Sequence, residues 1–148
     1  MIDFLLINRG VTPSTGLCAL THCDTRQYHF ISTNLAWSEA QTYCRERYTD
    51  LATVDGIEEQ NRVMNTAQST SGGYTQKAWI GLYRNGGGTF LWSDKSSTAY
   101  RNWREGQPDN SGGNEECAAT HLGNAGVWSD EQCSTKLDFV CYGDEKSE

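Results

Sequence analysis

The chain has 148 residues, the size of one compact domain, and splitting it in two would leave each half too little interior to hold together. Residues of the AVILMFWYC set make up 36%, alongside 15 glycines, five Trp, seven Tyr and four Phe, which excludes a disordered chain and supplies large side chains for a core. Twelve basic against nineteen acidic residues leave a net charge of −7 without a Lys/Arg stripe, which excludes the electrostatic footprint of nucleic-acid binding and favours cations as company.

The longest apolar stretches, Phe4 to Ile7 and Gly16 to Leu20, fall far short of a bilayer crossing, so no membrane span is expected. Six cysteines are many for a reducing compartment and indicate a secreted or extracellular protein. Residues 1 to 23 differ in character from the rest. Gly16-Leu17-Cys18-Ala19-Leu20-Thr21-His22-Cys23 resembles the end of a secretory signal peptide with cleavage before Asp24. The alternative is a disordered leader in which Cys18 and Cys23 are free or paired with each other. The folded domain is expected over residues 24–143, followed by a solvated charged tail, 144–148.

Tyr28-His29-Phe30-Ile31 reads as a strand, followed by a turn through Ser32-Thr33-Asn34. Ser38 and Gln41 form a capping-box pattern that predicts a helix to about Tyr48, carrying Ala40, Tyr43 and Cys44 on one face. Asp55-Gly56-Ile57-Glu58 predicts a second helix, with Ile57, Asn61, Met64 and Ala67 at helical spacing. Ala78-Trp79-Ile80-Gly81-Leu82 and Phe90-Leu91-Trp92 then predict a hairpin across the turn Arg84-Asn85-Gly86-Gly87-Gly88. Residues 93–116 hold neither a clear strand nor a helix, and at this length in a compact domain such a loop is functional. Glu116 to His121, Gly126-Val127-Trp128 and Phe139-Val140-Cys141 close the chain as short strands. Helices first and strands later, without alternation, predict an α+β fold with antiparallel sheets and a long loop region.

In order along the chain stand Cys44 on an early helix, Trp79-Ile80-Gly81-Leu82, Gln107-Pro108-Asp109, Glu115, Cys117, Trp128-Ser129-Asp130, Cys133 and Phe139-Val140-Cys141. Together these resemble a C-type lectin-like domain of the short form, over about Tyr28 to Tyr142. The resemblance implies two disulfides, Cys44–Cys141 and Cys117–Cys133, one of three pairings open to four cysteines. In the chain-entropy picture they stabilise by roughly 4.7 and roughly 3 kcal/mol. It treats Trp79-Ile80-Gly81-Leu82 and Trp128 as core, with Gly81 permitting a close backbone approach.

The resemblance further implies a Ca²⁺ site built from Gln107, Asp109, Glu115 and Asp130, with Ser129 as a further contributor, and a sugar site on the same residues. Calcium takes six to eight hard oxygens, which carboxylates and an amide carbonyl supply. In the family, the peptide before Pro108 is cis, and two neighbouring sugar hydroxyls complete the metal's coordination while hydrogen-bonding to its ligands. Gln before the proline and Asp after it is similar to galactose binders, whereas Glu and Asn mark mannose binders, so the chain leans to galactose or N-acetylgalactosamine. Two departures weaken the site. Asn110-Ser111-Gly112-Gly113-Asn114 replaces the aromatic ring that galactose binders place after the motif, and Ser129 replaces a ligating Asn. Calcium is therefore expected at the loose extracellular end, roughly 10⁻⁴–10⁻³ M.

Catalysis finds little support. His22 lies in the leader, His29 alternates with core aromatics, His121 sits in a strand, and none adjoins a nucleophile motif. An Asp109/Glu115 hydrolase pair has nothing else behind it. The expected function is an extracellular, Ca²⁺-dependent lectin and not an enzyme, with glycans as partners. The rival is a Ca²⁺-independent domain of the same fold that binds protein or another non-sugar ligand.

Overall fold

A computed structural model describes residues 25–71, 76–86 and 88–147. The leader, with Cys18 and Cys23, lies outside them. The elements are β1 Tyr28–Leu35, α1 Trp37–Arg47, β2 Asp50–Leu51, α2 Ile57–Ser71, β3 Lys77–Tyr83, β4 Leu91–Trp92, a 3₁₀ turn Ser111–Gly113, β5 Glu115–His121, β6 Val127–Gln132 and β7 Leu137–Tyr142. The main sheet runs β1-β7-β3-β5-β6, with β2 added to β7 and β4 to β3.

The sheet is mixed. Among the described strands every pairing is antiparallel, as the strand pattern predicts, except that of β3 with β7, where Ala78 lies opposite Asp138 and Trp79 opposite Phe139 in parallel. That pairing sets β3 inside the sheet and buried on both faces, which is why its sequence is a continuous apolar run instead of an alternation. Ala78, Ile80 and Leu82 face α2 together with Ala118, Trp128 and Val140. Trp79 faces the other way with Cys117, Ala119 and Phe139, against Trp37, Ala40 and Cys44 of α1. Gly81 fills the expected role: its N–H donates to the Ala52 carbonyl at 2.8 Å, and a Cβ there would stand 3.0 Å from that oxygen.

Local signals placed the helices but misjudged their details. Helix α1 starts before Ser38, because it is Glu39 that reaches back to accept the Ala36 N–H, at 3.0 Å. Gln41 instead donates to Ser93 Oγ at 2.8 Å. In α2 the buried residues are Glu59, Gln60, Val63 and Ala67, whereas Ile57 is 61% exposed and Asn61 is exposed. Two polar side chains turn this face inward. Glu59 accepts from Arg26, Tyr28 and the Asp55 N–H, and Gln60 accepts from Trp128. The expected turn at Ser32–Asn34 is a strand continuation with a register shift between Ile31 and Leu35. The tail 144–147 is exposed yet tied down: Lys146 donates its N–H to the Arg47 carbonyl at 2.8 Å and its ammonium to the Arg45 carbonyl at 2.7 Å, covering the end of α1.

Cys44 pairs with Cys141 and Cys117 with Cys133, at Cα separations of 5.3 and 5.2 Å. The first disulfide fixes α1 to β7. The second clamps the start of β5 to the end of β6, and those are the strand ends that carry Glu115 and Asp130.

Candidate functional site

The long loop is guided onto β6 by its own backbone. Asn102 and Arg104 bracket Trp128, whose N–H donates to the Asn102 carbonyl and whose carbonyl accepts the Arg104 N–H, each at 2.8 Å. Trp128 is fully buried and meets the rings of Trp92, Tyr100 and Trp103 edge-on at 5.7 to 5.8 Å, which makes it the support under the loop. The Gln107 N–H then donates to the Arg104 carbonyl at 2.9 Å, and the Gln107–Pro108 peptide is cis.

Asp130, 1% exposed, organises the loop beyond Pro108. Its Oδ1 accepts the Asp109 N–H at 3.1 Å and its Oδ2 the Asn110 N–H at 2.7 Å. Asn110 adopts a left-handed conformation, φ 46°, which asparagine tolerates better than most residues, and its Oδ1 accepts the Glu115 N–H at 2.9 Å. The Ser111 N–H is shared between Glu115 Oε1 at 2.9 Å and Asp109 Oδ1 at 3.2 Å. In consequence one carboxylate oxygen each of Asp109, Glu115 and Asp130 falls within 4.8 Å of the others.

The electrostatics follow from that crowding. Burial, the hydrogen bond to Asp109 and repulsion from Asp130 and Asp109 push Glu115 above the ordinary glutamate range, against the pull of the Ser111 N–H. For Asp109 the slight desolvation works upward, but hydrogen bonds from Glu115, Ser111 and Gln107 hold it below the usual value. Of the two carboxylates, Glu115 is therefore the first to take up a proton as the pH falls. Gln107 Nε2 donates to Asp109 Oδ2 at 3.2 Å, while its Oε1 is buried without a hydrogen-bond partner.

Of the residues singled out by sequence, the structure gathers Gln107, Asp109, Glu115 and Asp130. Ser129 stands apart. Its neighbours Trp128 and Asp130 point to the α2 side of the sheet, and strand alternation sends Ser129 to the other. There its hydroxyl donates to Glu131 Oε2 at 2.6 Å and bonds His121 Nε2 at 2.7 Å. Burial lowers the His121 pKa, assisted by Arg104 and Lys77. His29 bonds the Gly143 carbonyl at 2.7 Å and stacks on Tyr48, as a structural residue does.

Two participants escaped the sequence. In the sequence Asn110 stands out only as the place of a missing aromatic ring, and Arg84 only as the start of a turn. Continuing from β3, the Arg84 N–H donates to the Glu116 carbonyl at 2.9 Å, and the side chain reaches Asp130 Oδ2 at 3.5 Å. The turn signal at 84–88 concealed it.

The family model for the lectin C-type domain matches residues 33–143, and the chain belongs to that family. The fold is that of a C-type lectin-like carbohydrate-recognition domain. The chain is 36% identical over 116 residues to C-type mannose receptor 2 of Mus musculus, covering 78% of this chain but 7% of that receptor's length. Among solved structures, the C-type lectin CEL-I from Cucumaria echinata matches with a TM-score of 0.74 at 26% identity, over 84% of this chain and 95% of that one. A calcium-independent type II antifreeze protein shares the fold at a TM-score of 0.69 and 20% identity, over 83% of this chain and 89% of that one. Among the described residues, no helix is long and apolar enough to cross a membrane.

Proposed function

We propose that this domain is an extracellular lectin that binds galactose-type sugars through a calcium ion held by Gln107, Asp109, Glu115 and Asp130. The observation that carries the reading is Gln107 Oε1, a buried amide oxygen without a hydrogen-bond donor, on a side chain whose Nε2 donates to Asp109, one of three clustered carboxylates. An unpaired buried acceptor costs about 1–3 kcal/mol, which a cation at that position would remove. All four donors are hard oxygens, the kind calcium selects.

Bound calcium supplies an electropositive centre to which hydroxyl oxygens add. The chain's own residues do the rest. Asp130, fixed by the Asp109 and Asn110 amides, anchors the loop to β6. Glu115 and Asp109 are aligned by the shared Ser111 N–H. The Gln107 amide and the Asp109 carboxylate present a donor and an acceptor on either side of Pro108, the order that favours one arrangement of neighbouring hydroxyls over another. The two disulfides support an oxidising, extracellular setting.

The test is thermal unfolding with and without calcium, followed by retention on immobilised galactose and mannose. At ten times an assumed dissociation constant near 1 mM, linkage predicts about 1.4 kcal/mol of stabilisation, a rise of about 4 °C for a domain of this size. Galactose retention is expected only with calcium, and Asp130→Asn should remove both effects. A domain that ignores calcium and both sugars would leave the alternative, a Ca²⁺-independent member of the fold with a protein or another non-sugar ligand.

A further inference from the structure

The three carboxylates have a cationic neighbour. Arg84, its side chain 13% exposed, lies 3.5 Å from Asp130 Oδ2, and Asp130's side chain is fully buried. The same Nη2 donates to the Glu115 backbone carbonyl at 3.2 Å, and the guanidinium lies 4.8 Å from the centroid of the Phe90 ring. Phe90 in turn packs on Trp103 at 4.9 Å. The Arg84 backbone is fixed by its bond to the Glu116 carbonyl, so the charge is aimed by the end of β3 and held by a ring. It touches both strands that supply the acidic ligands, through Asp130 on β6 and the Glu115 carbonyl on β5.

Resting on the calcium reading above, we infer that Arg84 is a built-in counter-cation: it holds Asp130 and the loop in place when no ion is bound, and it sets the calcium affinity low. The charge count makes the case. Asp109, Glu115 and Asp130 together carry −3, and Arg84 reduces the local charge to −2. A divalent ion joining the three carboxylates is therefore repelled by a nearby guanidinium whose screening is poor, because it is mostly buried. Without the ion, the same guanidinium sets a positive charge against a buried carboxylate whose other partners are two neutral backbone amides, and a buried charge without an opposite one is costly. Ser129, bonded to His121 and Glu131 on the other face of β6, takes no part in this balance.

The experiment compares the wild-type domain with Arg84→Met and Arg84→Lys, by thermal unfolding in chelator and by calorimetric titration with CaCl₂. Arg84→Met should melt lower in chelator, show a larger calcium-induced rise, and bind calcium about tenfold more tightly. Arg84→Lys keeps the charge and should stay within about threefold of the wild-type affinity. Should Arg84→Met fail to fold, amide exchange of the wild-type protein in chelator carries the test. The Asp109 and Asn110 N–H groups, both held by Asp130, should be protected, and exchange at free-peptide rates would overturn the inference. Wild-type protein that binds calcium while Arg84→Met binds it equally or less tightly also overturns it and leaves the calcium reading standing. If the wild type and both variants ignore calcium, that reading falls and the inference with it.

Discussion

The indole N–H of Trp128 donates to Gln60 Oε1 at 2.8 Å, across 68 positions of sequence, and both side chains are fully buried. This bond latches α2 to β6 two residues before Asp130. Gln60 Nε2 also reaches Thr120 Oγ1 at 3.3 Å, so the amide spans the sheet from below. Gln60→Leu preserves volume but removes the acceptor, leaving a buried indole donor unpaired. The expected loss is about 1–3 kcal/mol in urea denaturation, larger than a hydrophobic replacement on a polar residue would otherwise suggest. A neutral or stabilising outcome would mean the bond is not made in solution.

The turn between β5 and β6 sets two neighbours against each other. Ala125 and Gly126 both adopt positive φ, 55° and 71°. Ala125→Gly relieves left-handed strain of about 1–2 kcal/mol and gives back part of it as unfolded-state entropy, so a net gain of about 0.5 kcal/mol is expected. Gly126→Ala should cost at least about 2 kcal/mol, since its φ is unfavourable and its Cβ would collide with Gln60 Nε2 and Met64 Sδ. Thermal unfolding of the two single variants should therefore show shifts of opposite sign.

How far the sequence reveals this molecule depends on which force acts. Strand β3 is legible because an apolar run survives in one dimension, Gln107-Pro108-Asp109 because its three residues are adjacent, and the two disulfides only through the family resemblance, since four cysteines alone leave three pairings open. The inward face of α2 is not, since Glu59 and Gln60 are polar and their burial is explained only by Arg26, Tyr28 and Trp128 arriving from elsewhere. Arg84 is hidden for the same reason. A turn signal describes its backbone, whereas its role lies in a side chain that meets Asp130 forty-six positions on. Ser129 errs in the opposite sense. The resemblance gives its position a task shared with Asp130, and strand alternation puts the two on opposite faces.

Asp94 offers a measure of acid sensitivity away from the three clustered carboxylates. Its Oδ1 accepts the Ser96 N–H at 2.9 Å and its Oδ2 the Tyr142 hydroxyl at 2.8 Å. Burial works upward on this carboxyl, but the Ser96 and Tyr142 hydrogen bonds outweigh it and hold the folded-state value below the ordinary range. A carboxyl depressed on folding stabilises the protein fully above its unfolded pKa of about 3.9, and that contribution disappears as the pH falls through the folded value. Tyr142→Phe should cost about 1 kcal/mol at neutral pH and make the loss of stability below about pH 4 shallower. Identical slopes for the two proteins on acid titration of the unfolding free energy would remove Asp94 as the source.

Sugar choice is expected to fall to the two residues that flank Pro108. The side chains of Gln107 and Asp109 are in contact, the amide N–H₂ of one directed at the carboxylate of the other at 3.2 Å. In the proposed site each also faces one of two neighbouring hydroxyls, so the amide side can donate and the carboxylate side can only accept. Exchanging them, Gln107→Glu with Asp109→Asn, keeps shape and the number of oxygens but reverses that order. The amide introduced by Asp109→Asn retains an oxygen for the Ser111 N–H that Asp109 Oδ1 accepts in the native chain, so the loop should close as before. Each mismatched donor or acceptor leaves a polar group unpaired against the sugar, and one such mismatch is worth on the order of tenfold in affinity. The double variant should therefore lose at least about tenfold on galactose and gain retention on mannose, both only with calcium. A double variant that still prefers galactose would place sugar selection outside Gln107 and Asp109.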